Sequence, residues 1–188
     1  FHDFGIIDRL LATNPGSGRG GQGPAPRFQA SKITENSTTT KGSNTMTDHP
    51  LPKHLSPQEA WQLLQEDPKA LLVDIRSTME FLFVGHPQGA VHVAWIDEPE
   101  WTVNPHFDTE IRKLLLGGAV CSEDNPCTPI ILICRSGKRS LEAGKALLAA
   151  GMRNVYHIDE GFEGDLDEAH HRSTIGGWRF RGLPWEQC

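Results

Sequence analysis

The sequence predicts an α/β domain with a mostly parallel central sheet flanked by helices, and three observations carry that prediction. Short continuous apolar runs, such as Ala70-Leu71-Leu72-Val73-Asp74-Ile75 and Ile130-Ile131-Leu132-Ile133, read as strands buried on both faces. Helical patterns with start and stop signals lie between those runs. Strand and helix patterns alternate along the chain, as crossovers between parallel strands require.

The patterned region begins late. Residues 12 to 45 are dominated by Gly, Ser, Thr, Asn and Pro, as in NPGSGRGGQGPAP and TENSTTTKGSNT, and hold almost nothing that could be buried. The first methionine, Met46, stands where patterning is about to start, so residues 1–45 read as a disordered extension, a tag or an upstream segment and 46–188 as the domain. Gly16, Gly18, Gly20 and Gly21 have no strand before them and no helix after, and a phosphate loop needs both.

From there each element has a local reason. Ser56-Pro57-Gln58-Glu59 offers an N-cap serine, a proline at the first helical position and a capping-box glutamate, ahead of Ala60, Trp61, Leu63 and Leu64. The run Ala70–Ile75 is the first strand, Ala90-Val91-His92-Val93-Ala94 the second, Ile130–Ile133 the third and Val155-Tyr156-His157-Ile158 the fourth. A helix over Asp108–Leu116 follows a cap-like aspartate and stops at Gly117-Gly118; another over Ser140–Ala150 stops at Gly151, the residue type favoured just past a helix end.

Composition narrows the functional classes. The 188 residues carry a formal charge of −6, but residues 1–45 hold five Lys/Arg against three Asp/Glu, which leaves the rest at about −8. That balance argues against a nucleic-acid surface. No apolar run approaches the roughly 18 residues of a membrane span, and the start lacks the basic n-region and apolar stretch of a secretory signal. Four cysteines, Cys121, Cys127, Cys134 and Cys188, in a chain of this length do not resemble a secreted disulfide framework. Reduced thiols in a cytoplasm are the expectation.

One stretch concentrates chemistry. In PIILICRSGKRSLEAGKALLAAG, residues 129 to 151, Cys134 follows four apolar residues at the end of the third strand, where α/β sheets place their sites. Arg135, Lys138 and Arg139 lie within five residues of it. A helix opening directly after this loop points unpaired N–H groups and its positive dipole end toward it, and Gly137 lets the backbone curl so that several amides converge. Such surroundings favour a thiolate nucleophile, and the same amides suit an anionic sulfur or a bound oxyanion. Cations at a helix start oppose the dipole unless an anion is present, so all three read as donor-binding groups.

The pattern resembles the rhodanese domain, a family of persulfide-forming sulfurtransferases. Leu72-Val73-Asp74-Ile75-Arg76 is similar to the family's first strand, Glu80-Phe81 and Gly85-His86-Pro87-Gln88-Gly89-Ala90-Val91-His92 to its Gly-His-Ile-Pro-Gly-Ala segment, and Cys134–Arg139 to its active-site loop. Asn154-Val155-Tyr156 through Gly161-Phe162 resembles the final strand and the turn beyond it, and the likeness runs over roughly 54 to 186, including Gly177-Trp178 and Gly182-Leu183-Pro184-Trp185. Pro87-Gln88 in place of Ile-Pro moves the proline by one residue.

The resemblance implies double displacement: Cys134 takes the sulfane sulfur of a small anionic donor such as thiosulfate and passes it to cyanide, a thiol or a sulfur-carrier protein. It implies no metal and no organic cofactor, while the charge balance and the lack of an apolar span speak against nucleic-acid and membrane partners. It makes Cys134 catalytic and assigns donor and persulfide binding to Arg135, Ser136, Gly137, Lys138 and Arg139, while Asp74 and Arg76 orient the scaffold and Gly85, His86 and Gly89 shape a turn.

Two rivals remain. A dual-specificity phosphatase or arsenate reductase on the same fold uses a His-Cys-x5-Arg loop, whereas here Ile133 precedes Cys134 and Arg139 follows by five positions, a smaller loop that suits a single sulfur atom. A non-catalytic module of the same fold often lacks the loop cysteine, which is present here. Elsewhere, Cys121 and Cys127 fit a labile disulfide or a sulfur relay better than a zinc site, whose spacing they lack. The acids of 159–168 read as a solvated loop without calcium-loop spacing, Cys188 as a terminal thiol with no task, and Trp178, Phe180 and Trp185 as packing for a C-terminal tail.

Overall fold

A computed structural model describes residues 50–115 and 127–188, all within the unit Thr45–Cys188. The segment 1–45 and Cys121 lie outside the described residues. In chain order the elements are β1 (Lys53–Leu55), α1 (Pro57–Glu66), β2 (Leu71–Asp74), a π-helical turn (Glu80–Val84), β3 (His86–Pro87), β4 (Val91–His92), α2 (Phe107–Leu114), β5 (Ile130–Ile133), α3 (Lys138–Ala149), β6 (Val155–Ile158) and β7 (Trp185–Glu186).

Five strands form a parallel sheet in the order β1-β6-β5-β2-β4. Side chains alternate between its faces. Ile130 and Leu132 of β5 point to one side with Val73, Ile75 and Val155, against Phe107 and Ile111 of α2 and Ala143 and Leu147 of α3. Ile131 and Ile133 point to the other with Leu72 and Ile158, against Ala60 of α1, Phe162 and Trp178. Burial on both faces is why the sequence shows continuous apolar runs there. Cys134, two residues beyond Leu132, falls on the α3 face.

The capping box is formed: Ser56 Oγ accepts the Glu59 N–H at 3.3 Å, and the Glu59 carboxylate accepts the Ser56 N–H at 2.8 Å. Other boundaries move. Helix α2 starts at Phe107 after His106, so Asp108 sits inside the first turn and does not cap it. Helix α3 starts at Lys138, two residues earlier than expected, because Gly137 at φ 82° turns the chain straight into it.

The segment around Pro87 forms more than a turn. His86–Pro87 pairs antiparallel with Trp185–Glu186 in a second, two-stranded sheet, and the Ala90 N–H bonds Pro87 O at 3.1 Å with Gly89 at φ 78° between them. The acidic stretch is solvated at Asp159, Asp165 and Glu168, as expected, but tied down between them. Glu160 binds Arg181 at 2.6 Å and the Gly177 N–H at 2.7 Å, and Asp167 accepts from Thr174 Oγ1 at 2.8 Å. These bonds anchor the tail that carries fully buried Trp178, whose Nε1 donates to Pro184 O at 2.8 Å. Phe180 and Trp185 remain more than two-fifths exposed.

Cys127 is disulfide-bonded while Cys134 and Cys188 are free thiols, which corrects the expectation of four reduced cysteines. That expectation rested on cysteine density over the whole chain, whereas the alternative of a labile disulfide at Cys127 rested on the local cysteine spacing. Among the described residues no helix is long and apolar enough to cross a membrane, and no group of three or more His, Cys, Asp or Glu is placed to hold a metal ion.

Candidate active site

The loop that carries Cys134 is built from both ends. Strand β5 delivers the cysteine to the carboxyl edge of the sheet, and α3 begins four residues later. The turn after β6 braces it from the side: the Phe162 N–H donates to Cys134 O at 2.8 Å and the Glu163 N–H to Arg135 O at 2.9 Å. Two glycines make this close approach possible. A Cβ on Gly137 would lie 1.8 Å from Asp159 O, and one on Gly161, at φ 65°, would lie 2.6 Å from the Cys134 and Arg135 carbonyls. No side chain fits either position.

Cys134 is 1% exposed, so its sulfur forms the floor of the loop. The Ser140 N–H points at Sγ from 3.3 Å, and Ser140 Oγ lies 3.5 Å from it. Among the described residues, the amides of Arg135 to Arg139 meet no intramolecular acceptor. A helix start with open N–H groups is a natural seat for negative charge.

The cations differ in their placement. Arg135 and Lys138 are exposed, Ser136 and Arg139 half-buried, and Gly137 buried. Arg139 forks onto Glu80 with two bonds of 2.8 Å, and Arg135 Nε approaches the same carboxylate at 3.7 Å. Burial works against the charge on Glu80, but the hydrogen bond and charge of Arg139, the Ser77 amide and the charge of Arg135 outweigh it and bring its pKa down to about 2. Burial also works against the charge on Arg139, yet Glu80, with help from Cys134 and Asp74, holds its pKa above the usual value. In the sequence Glu80 stands out only as part of a motif. Its partner lies 59 residues away, and no local pattern announces such a pair.

Asp74 and Arg76 are fully buried and form a forked pair, with Arg76 Nη2 2.6 Å from Asp74 Oδ2 and 2.5 Å from Gly85 O. The Arg76 guanidinium carbon also lies 4.3 Å from the centre of the Phe162 ring. This arrangement ties β2 to the β3 turn and to the brace behind the cysteine loop. Phe162 and Trp178 are both buried in the core.

The sequence pattern marks His157 only as part of a strand. It is 2% exposed, and its Nδ1 lies 3.5 Å from Ser140 Oγ while its Nε2 lies 3.0 Å from His54 Nδ1. Burial and the charge of His54 push its pKa down to about 4, against the opposing pull of Asp159 and the Gly137 carbonyl. The alternation of β6 held the signal, since Val155 on the α3 face puts His157 there too.

A parallel sheet with a cysteine at the end of its central strand, inside a six-residue basic loop, defines a class that the comparisons then name. The family model for the rhodanese-like domain matches residues 56–168, and the chain belongs to that family. It is 30% identical over 112 residues to thiosulfate sulfurtransferase GlpE of Haemophilus influenzae, covering 60% of this chain and 86% of that one. It is 28% identical over 130 residues to the uncharacterized protein RC0915 of Rickettsia conorii, covering 68% and 92%. Among solved structures, that of Rv0390 from M. tuberculosis superposes with a TM-score of 0.62 at 36% identity, covering 74% of this chain and all of that one.

Proposed function

We propose that this protein is a sulfurtransferase that moves a sulfane sulfur from a thiosulfate-type anion to cyanide or a thiol through a persulfide on Cys134. The observation that carries this reading is the size and lining of the loop. Cys134 to Arg139 encloses one sulfur, with the Ser140 N–H on its inner side and five amides that find no acceptor among the described residues. The curated relatives named GlpE support the same chemistry.

In the first half-reaction the Cys134 thiolate attacks the outer sulfur of thiosulfate. An S–S bond forms, the S–S bond to the sulfonate breaks, and sulfite leaves with the electron pair, so the persulfide carries the remaining negative charge. In the second, the acceptor attacks the outer sulfur and Cys134 departs as thiolate. With cyanide the products are thiocyanate and the restored enzyme. Preorganised amides stabilise the persulfide without reorienting, which is where such loops gain most of their effect.

The donor is drawn in by Arg135 and Lys138, the two exposed cations of the loop, while Arg139 acts from its fixed place on Glu80. Since Cys134 is almost fully covered, the outer sulfur of the donor has to reach it through the ring of loop amides.

Incubation with thiosulfate followed by intact mass measurement tests the reading. The expected product is one sulfur atom heavier, is absent from Cys134→Ser, and is discharged by cyanide. No adduct, or turnover of p-nitrophenyl phosphate in its place, would overturn it in favour of the phosphatase chemistry some loops of this fold perform.

A further inference from the structure

Cys134 has polar neighbours that the transfer reaction does not use. The sheet register sets His157 of β6 beside Leu132 of β5 on one side and beside His54 of β1 on the other. All three therefore share the α3 face, where Ser140 meets the cysteine sulfur. The result is a continuous line of groups: Cys134 Sγ to Ser140 Oγ at 3.5 Å, Ser140 Oγ to His157 Nδ1 at 3.5 Å, and His157 Nε2 to His54 Nδ1 at 3.0 Å. It starts at a sulfur that is 1% exposed and ends at His54, which is exposed.

We propose that Ser140, His157 and His54 form a positioning chain that couples the reactivity of the Cys134 sulfur to protonation of the histidine pair. The inference rests on the reading of Cys134 as the nucleophile. Ser140 has one hydroxyl proton and several claimants for it: it donates to Gly137 O at 2.9 Å, and the sulfur and the His157 ring lie at the limit of hydrogen-bond reach. A neutral imidazole can either give or accept at Nδ1, but a protonated one only gives. Once the pair gains a proton, Ser140 Oγ accepts from His157 and its own proton is directed away from the ring, toward Gly137 O or the sulfur. The added positive charge favours an anionic sulfur in the same sense.

The groups facing His157 are few. His54 on β1 repels a charge on it; Asp159 just past β6 and the Gly137 carbonyl at the start of α3 attract one; among the described residues Ser140 links it to Cys134. Because His157 is neutral at pH 7, its ring is a neutral partner of Ser140 there and gains its charge on acidification.

Alkylation of the full chain by iodoacetamide, followed by peptide mass at Cys134 to exclude the exposed Cys188, tests this without any sulfur donor. The thiolate displaces iodide, so one C–S bond forms as one C–I bond breaks. The wild-type rate against pH is expected to show two steps, one for the thiol and an acid one for the histidine pair. His54→Gln, at an exposed position, removes the charge that opposes protonation of His157 and is expected to move the acid step to higher pH. Ser140→Ala is expected to lose that step and to react about three- to tenfold more slowly near neutrality, while Ser140→Thr keeps both features. Superposition of the His54→Gln profile on wild type would overturn the coupling, whatever Ser140→Ala does. Failure to form a persulfide from thiosulfate would instead strike the functional reading and leave these profiles unaffected.

Discussion

Two forked carboxylate–guanidinium pairs lie on the elements that hold the cysteine loop, and they differ mainly in how much water reaches them. Asp74–Arg76 is fully buried and joins β2 to the turn before β3. Glu80–Arg139 has side chains 17% and 23% exposed and spans from the π-helical turn to the first turn of α3. The first lies within the core; the second lies beside the Cys134 loop, with Arg135 near the same carboxylate. The contrast teaches that one chemical motif serves as scaffold or as site according to its desolvation, because removing a partner from a dry pair leaves a buried charge uncompensated.

The largest expected effect follows from that. Asp74→Asn leaves Arg76 buried, with its Nη1 already lacking a hydrogen-bond partner and, among the described residues, only the Glu163 carboxylate at 3.8 Å left to offset its charge. The variant is expected to lose about 3–5 kcal/mol of stability, read as a lower urea midpoint at unchanged slope. A loss below about 1 kcal/mol would erase the distinction between the two pairs.

Glu80→Gln is expected to cost less, about 1–2 kcal/mol, since water screens part of the interaction. It sharpens the comparison through kinetics. Taking one negative charge from beside Arg135 and Arg139 strengthens the pull on a dianionic donor, so KM for thiosulfate is expected to fall by up to about fivefold at low salt, and less in high salt. An unchanged KM would move Glu80 into the scaffold with Asp74.

Acid titration separates the two further. The folded-state pKa of Glu80 is depressed from 4.5 to about 2, so its contribution is fully present above 4.5 and is lost as pH falls toward 2. The stability difference between wild type and Glu80→Gln is therefore expected to shrink across that window, measured by denaturant unfolding at successive pH values. A difference that persists at the acid end would mean that the pair acts through packing and not through charge.

How far the sequence announced these features depends on the distance over which each is encoded. Ile130–Ile133, Val155–Ile158 and the Ser56 capping box are local patterns, and they appear where expected. The loop of Cys134 was legible because strand end, cations and glycine are contiguous. Strand β1 and the β3–β7 ribbon were not, since strands of two or three residues exist only through their partners. Glu80 with Arg139, 59 residues apart, and His54 with His157, 103 apart, are products of topology. Asp74 and Arg76 lie two residues apart, so their pairing could be foreseen, but their complete burial could not.

A third pair completes the gradient and carries the smallest prediction. Asp108 and Arg112 lie one turn apart on α2 at 3.8 Å, with side chains 42% and 50% exposed. The geometry is loose, both side chains give up rotamer freedom to meet, and salt screens them, so the interaction itself is worth little. Asp108 also sits in the first turn, where a negative charge meets the helix dipole. Asp108→Asn is accordingly expected to cost about 0.5 kcal/mol at low ionic strength and almost nothing in 1 M salt, about where the Debye length shrinks to 3 Å. The cost of Asp74→Asn should survive the same salt, because counterions do not enter the space between two fully buried groups. Equal salt sensitivity in the two variants would mean that water reaches Asp74 after all, and desolvation could no longer be what separates the scaffold pair from the site pair.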